Sequence, residues 1–366
     1  MAAHPAGRPA GSAARNGRRG AGAVQLAGIG TALPGEPVDN DRLSRRLGIA
    51  SEWVETFIGT RTRYFAVDLD TGRARWSLED LCTDAADRAL ADAGAEPGDV
   101  GFIVVATATP DALMPTTATL LADRLGIDGT PAYQLQSGCT GAVQAFALAL
   151  ALLETGAGGD RPLGLVVGGD VCSKHLDLCQ DFRELPPGAL VNYALFGDGA
   201  GAAVVSHGTG RAGSRAVLTR AEHRMSGLGL PPGQRLEWFG AADRHPYRPA
   251  ATEDYKAIEH RVPAMALEVR DELLDALGWP PESVGHLLPP QLSGRMTERI
   301  TRELSHGLEW DAVSCVAETG NNGNALVFLQ LEKLLGGFGP GRRALGIAIE
   351  SSKWIKAGFA VEAHHG

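Results

Sequence analysis

The sequence has few cysteines, no long apolar run and no excess of positive charge. Its five cysteines, Cys82, Cys139, Cys172, Cys179 and Cys315, are scattered through 366 residues. None pair as C-x-x-C, so neither a disulfide framework nor a zinc site is expected, and the pattern suits reduced thiols in a cytoplasm. No stretch of about twenty residues is both apolar and uncharged, which argues against a membrane-spanning helix. Lys and Arg number 34 against 43 Asp and Glu, a formal charge of −9. Four of those arginines fall in residues 1–22, which hold no acid, so the body carries −13 without them. Bulk binding of nucleic acid is therefore not expected, and an anionic partner would need a local basic patch.

Residues 1–22 are rich in Ala, Gly and Arg. Arg18-Arg19 raises a twin-arginine export reading, but the following "GAGAVQLAGIGTALPG" is too short and glycine-broken for a signal core. The segment reads as a disordered basic tail. Beyond it, "AVQLAGIGTAL", "VGFIVVATAT", "PAYQLQSGC", "RPLGLVVGGDV" and "ALFGDGAGAAVVS" read as strands. "SLEDLCTDAADRALADAG" and "PTTATLLADRLG" carry helical spacing between them. Strand alternating with helix argues a mostly parallel, helix-covered α/β sheet over residues 23–206. Residues 263–366 repeat the order more loosely, with helices in "PAMALEVRDELLDALGW", "LSGRMTERITRELSHGL" and "NALVFLQLEKLLGGF". Strands are expected at "VGHLLPPQ", "RALGIAIESS" and "GFAVEAH". Residues 207–262 are turn-rich and read as an irregular connection or insertion.

The stretch "QSGCTGAVQAFALALALLETG" places Cys139 between small residues at the start of an apolar helix. Two readings compete. A free cysteine fills cores as a small hydrophobe, but at a helix start its thiolate is stabilised by unpaired N–H groups.

Four segments in order resemble the ketoacyl-acyl-carrier-protein synthase III type of thiolase-fold condensing enzyme, over roughly residues 23 to 362. They are "NDRLSRRLGIASEWVETFIGTRTRYF", "QSGCTGAVQAF", "ALFGDGAGAAVV" and "ETGNNGNALVFLQLEKLL". The resemblance implies two similar βαβαβ halves packed as a five-layer α-β-α-β-α sandwich, and a homodimer. It implies that Cys139 takes an acyl group from an acyl-coenzyme A or acyl-carrier-protein (phosphopantetheine) thioester, with no permanently bound cofactor. Gly138 and Gly141 would allow close backbone approach, and the Cys139 N–H would face the thioester oxyanion.

The family pairs its cysteine with a histidine and an asparagine. Asn321 falls on the asparagine position, with Asn322 and Asn324 as close competitors, and all three also suit a glycine-rich turn. The histidine position is Pro290, in "HLLPPQ". Proline can neither donate a proton nor hold charge, and His286 lies roughly 13 Å away along an extended strand. Decarboxylative carbon–carbon condensation is put in doubt; acyl transfer is not.

Where the family has a triple-glycine loop, "ESSKWIKAG" puts Ser351 at the second backbone oxyanion donor, beside Glu350, Lys353 and Lys356. Trp53 matches the tryptophan that stacks on adenine, while two family arginines fall at Leu190 and Phe57, so the coenzyme A clamp reads as half built. Arg295, Arg299 and Arg302 share one helical face where the family docks its acidic carrier; a solvated face is the plain alternative. Phe57, Met114 and Trp238 are candidate pocket or gate residues. The expectation is a cytoplasmic acyltransferase of secondary metabolism passing its acyl group to an oxygen or nitrogen nucleophile of a small-molecule acceptor. The alternatives are a decarboxylative ketosynthase using a malonyl thioester and a half-active partner subunit of a heteromeric ketosynthase.

Overall fold

A computed structural model describes residues 23–177, 187–208, 215–238 and 251–364. The tail 1–22 and Cys179 lie outside the described residues.

Ten strands form one hydrogen-bonded run with an internal repeat. The first half is ordered Ala132–Gln136, Val100–Thr107, Leu163–Val171, Asp198–His207, Val24–Ala32. The second half runs outward from there as Ala216–Met225, Ile355–Ala363, Arg343–Glu350, His286–Leu288, Asp311–Ala312. Taken in chain order within each half, the spatial order is third, second, fourth, fifth, first. The pairing senses also repeat: second with third and fourth parallel, fourth with fifth and fifth with first antiparallel. The halves join where Val24–Leu26 pairs with Ala216–Leu218, a three-residue ladder.

Helix chemistry assigns the layers. Gly141–Thr155 is apolar almost all round, and Leu326–Leu335 buries most of its length, so each needs cover on every side. They form the middle layer between the half-sheets, with Phe146 meeting Phe328 at 5.4 Å and Phe359 at 6.2 Å between ring centres. Leu78–Asp92, started by a Ser77/Asp80 capping box, and Thr117–Arg124 cover the outside of the first half-sheet. Tyr255–Leu277 and Gly294–Leu304 cover the second. This is the five-layer α-β-α-β-α arrangement.

Two sequence expectations change. Residues 207–262 are not simply irregular: they hold the strand Ala216–Met225 and the start of the helix at Tyr255. Arg220, Glu222 and Arg224 disguised the strand, but they pair with one another on its partly open face. In "ALFGDGAGAAVVS" the first two residues, Ala194 and Leu195, end a helix, and the strand begins at Asp198. Residues 209–214 and 239–250 of the connection lie outside the described residues. Among the described residues no helix is long and apolar enough to cross a membrane.

Candidate active site

The middle-layer helix Gly141–Thr155 is preceded by Thr140 as its cap and then by Cys139. The close packing that places this turn depends on glycine. A Cβ on Gly141 would stand 2.4 Å from Asn324 Oδ1. Facing it, Gly323 has φ +55°, and a Cβ there would stand 2.1 Å from Asp170 Oδ2. Gly323→Ala therefore combines left-handed backbone strain with overpacking and is expected to cost about 2–4 kcal/mol. Urea unfolding checks this; an unchanged midpoint would show that the loop can relax.

Asp170 knots the site's backbone. Its Oδ1 accepts from Thr107 Oγ1, the Ala108 N–H and Thr109 Oγ1, at 3.1, 2.8 and 2.9 Å. Its Oδ2 accepts from the N–H and Nδ2 of Asn324 at 2.8 and 2.9 Å. Asn324 Nδ2 also reaches the Ser137 carbonyl at 2.9 Å, and Asn322 Nδ2 the Asp198 carbonyl at 2.7 Å. Both are thus committed to structure. Asn321 instead lines the cavity that holds Cys139, its Oδ1 accepting from the Gly323 N–H at 3.1 Å. Geometry singles out Asn321 among the three.

Cys139 stands where three cavities meet. The largest, about 320 Å³, is mainly apolar and is lined by Trp53, Phe57, Met296, Asn321 and Ser351, with Glu253, Tyr255 and Glu259 on one wall. A second, about 250 Å³, is lined by Gln136, Asp170, Cys172, His175 and Glu350. The third, about 30 Å³, lies between Cys139, Pro290 and Gln291. Pro290 thus stands beside the thiol, where it offers no side-chain donor, and its carbonyl accepts from Thr297 Oγ1 at 3.2 Å. Gln291 Oε1 is taken by the N–H groups of Cys315 and Val316, at 2.9 and 2.8 Å, while its Nε2 is buried without a partner. His286 packs edge-on against Phe338 and lines none of these three cavities.

The thiol's surroundings work against the thiolate expected at a helix start. Burial first, then the charges of Glu350 and Asp170, push the Cys139 thiol up to about 12. Glu350 was legible as a stray acid, but its placement was not. It is buried behind Gly138, with Oε2 accepting from Ser137 Oγ at 2.8 Å and Thr140 Oγ1 at 2.6 Å. Its Oε1 accepts from Ser352 Oγ. Both its oxygens are thereby occupied, and it pins the nucleophile turn to the strand Arg343–Glu350. His175 was missed altogether. Burial, then Lys174, push its imidazole down to about 4, and its Nε2 has no partner among the described residues.

The remaining candidates divide. Trp53 and Phe57 lie 6.0 Å apart between ring centres at the largest cavity, with Leu190 in the same apolar cluster as Trp53. No Lys, Arg or His lines that cavity among the described residues. Met114 is 85% exposed and lines none of the three cavities. Trp238 is 44% exposed and also lines none of them; it meets the edge of His175 at 6.0 Å, beside the second cavity. Arg295, Arg299 and Arg302 are exposed on Gly294–Leu304, whose Met296 lines the largest cavity. Arg295 Nε donates to the Thr56 carbonyl at 3.1 Å, tying this helix to the Trp53–Phe57 segment. Arg299 pairs with Glu303 at 3.0 Å.

A cysteine at the junction of three cavities, an asparagine lining one of them and a duplicated five-layer sandwich define a thiolase-fold condensing enzyme. The chain belongs to the 3-oxoacyl-[acyl-carrier-protein] synthase III family. The family description 3-Oxoacyl-[acyl-carrier-protein (ACP)] synthase III matches residues 133–222. The chain is 32% identical over 332 residues to beta-ketoacyl-[acyl-carrier-protein] synthase III 5 of Streptomyces coelicolor, covering 88% of this chain and 92% of that one. The solved structure of AbyA1, a tetronic acid condensing enzyme, superposes with a TM-score of 0.87 at 56% identity, covering 93% of this chain and 99% of that one. The synthase III of Pseudomonas aeruginosa PAO1 superposes at 0.77 with 27% identity, covering 94% and 99%.

Proposed function

We propose that this chain forms an acyl-Cys139 intermediate from an acyl thioester and passes the acyl group to an oxygen nucleophile without decarboxylation. The observation that carries the reading is Pro290 beside Cys139 and Asn321. A site that can hold an acyl-cysteine lacks the imidazole donor with which its family stabilises a carbanion born of decarboxylation. Cys139 and Ser351 would supply backbone N–H groups to the acyl oxyanion, and Asn321 its neutral amide.

The likeness to AbyA1 sharpens the acceptor. A tetronic acid ring contains one ester bond and one carbon–carbon bond between two acyl units. The hydroxyl of a 2-hydroxyacyl thioester takes a 3-oxoacyl group from Cys139, forming the ester and releasing the Cys139 sulfur. The carbon between the two carbonyls of that 3-oxoacyl group then attacks the remaining thioester, expelling its thiol. That carbon is acidified by its carbonyls, so proton removal replaces loss of carbon dioxide. Incubating the protein with a 3-oxoacyl thioester and a 2-hydroxyacyl-carrier thioester tests this. A cyclised product without carbon dioxide release is expected. Product only with malonyl thioester, together with carbon dioxide, would restore the decarboxylative reading. No product and no covalent adduct would favour a partner subunit.

The donor is read as a carrier protein. Leu190 and Phe57 stand where the resemblance puts the arginines of the coenzyme A clamp, and among the described residues no Lys, Arg or His lines the cavity of Trp53 and Asn321 to meet nucleotide phosphates. The arginine face of Gly294–Leu304 lies beside that cavity on an otherwise acidic chain. Because Arg295 also props the backbone at Thr56, the clean variant is the pair Arg299→Glu and Arg302→Glu. It should raise the carrier KM about tenfold and leave turnover of a small thioester unchanged. Equal loss on both donors would contradict docking. A homodimer fits the open edge of the strand Ala132–Gln136, where Tyr133 is 38% exposed. A cytoplasmic location fits the sparse cysteines.

A further inference from the structure

If acyl transfer runs through Cys139 as proposed above, a proton must leave the acceptor and another must reach the departing sulfur. Pro290 can carry neither. Among the described residues six ionisable side chains other than cysteine line these two cavities: Asp170, His175, Glu253, Tyr255, Glu259 and Glu350. Glu259 is exposed, and the Tyr255 hydroxyl, which burial makes still less acidic, donates to Asn192 Oδ1. Asp170 and Glu350 have both oxygens engaged by protein donors. His175 lies in the second cavity, away from Asn321, and its depressed basicity makes it a poor proton acceptor.

Glu253 differs. It ends the short strand Ala251–Glu253, which pairs with Gln234–Leu236, and it lines the largest cavity together with Cys139 and Asn321. Its Oε1 accepts from Gln234 Nε2 at 2.8 Å, which holds the carboxyl in place. Its Oε2 is buried with no hydrogen-bond donor placed on it among the described residues; the nearby Tyr255 hydroxyl, which donates to Asn192 Oδ1, also interacts with this carboxyl. A buried carboxyl oxygen with no donor placed on it, beside a mainly apolar cavity, costs free energy unless a ligand completes it.

We propose that Glu253 is the catalytic base for the acceptor: its free oxygen takes the proton from the attacking hydroxyl and returns it to the Cys139 sulfur. The carboxylate removes the hydroxyl proton as the oxygen bonds to the acyl carbon. The tetrahedral adduct collapses, the carbon–sulfur bond breaks, and the carboxyl protonates the sulfur. Ester and Cys139 thiol result, and Glu253 is again ionised. A thiol as weakly acidic as Cys139 leaves poorly as a bare thiolate, so a proton donor in its cavity matters. Burial also raises the Glu253 carboxyl above the usual carboxylate range, which brings it closer to the strength a proton carrier needs. The titratable groups sharing this wall and cavity are Tyr255, which donates to Asn192 Oδ1 at 2.5 Å, Glu259 on the same helix, and Cys139.

The test uses the full-length protein in two stages. Intact mass first measures acylation of Cys139 by a 3-oxoacyl-carrier thioester in wild type and Glu253→Gln. The isolated acyl-enzyme is then mixed with a 2-hydroxyacyl thioester in a single turnover across pH. Wild-type transfer should rise as pH climbs through the Glu253 titration. Glu253→Gln keeps the shape and should acylate, then transfer about a hundredfold more slowly with that rise gone. Transfer by Glu253→Gln at the wild-type rate, or slowed with the pH rise intact, would overturn the proposal. Absence of any Cys139 adduct in wild type would instead overturn the acyl-enzyme reading on which it rests. Should Glu253→Gln fail to fold, Gln234→Ala frees the other carboxyl oxygen; it should shift the pH rise, and an unmoved rise would again count against Glu253.

Discussion

Cys139→Ala should abolish covalent labelling by an acyl thioester and lower transfer by on the order of 10⁴-fold or more, the scale seen when a covalent acyl-transfer nucleophile is removed. The expectation rests on position rather than on thiol acidity. Every cysteine with a resolved value is pushed upward by burial: Cys315 to about 12, like Cys139, and Cys82 and Cys172 also upward. Acidity therefore does not pick out Cys139. What does is its location at the junction of three cavities, one of which Asn321 also lines. Cys172 also lines the second cavity, so Cys172→Ala is the control: labelling should persist in it. Labelling that survives Cys139→Ala and disappears in Cys172→Ala would transfer the assignment. Intact mass after incubation with an acyl-carrier thioester reads both variants.

Carbon dioxide release from a malonyl thioester should run roughly 10²- to 10³-fold below the rate of a synthase III that keeps its histidine. Decarboxylation leaves an enolate whose charge falls on the thioester oxygen. Two donors normally hold it, and one preorganised donor is worth about 3–4 kcal/mol. Here Asn321 remains and Pro290 contributes no side-chain donor. The approximately 30 Å³ space beside Pro290 also leaves little room for another side chain to reach in. Acylation draws on backbone N–H groups and should proceed. Pro290→His with release of radiolabelled carbon dioxide checks the point. Ordinary release by the wild type would mean that Gln291 Nε2 or another donor serves in the histidine's place.

The fold was legible because its signals are local and ordered. Four motifs in sequence order carried a family resemblance that implied the layers and located the nucleophile turn. Cys139, Asn321 and Pro290 follow from motif position and are brought together as expected. The strand Ala216–Met225 was hidden because Arg220, Glu222 and Arg224 neutralise each other only once the strand exists. Glu350 was visible, but Ser137 and Thr140, which capture it, are 213 and 210 residues away in sequence. Glu253 sits on a three-residue strand too short for any periodicity. A helix start is written in sequence, whereas the burial and the neighbouring carboxylate that raise the Cys139 thiol are tertiary facts.

The most direct measurement is a chase of isolated acyl-Cys139 enzyme, followed by intact mass, with a 2-hydroxyacyl-carrier thioester in one arm and a malonyl-carrier thioester in the other. The account predicts rapid loss of the acyl mass in the hydroxyl arm, with a product containing both acyl units and no carbon dioxide. In the malonyl arm the adduct should persist. Rapid discharge by the malonyl carrier with carbon dioxide released, and a stable adduct facing the hydroxyl donor, would contradict it.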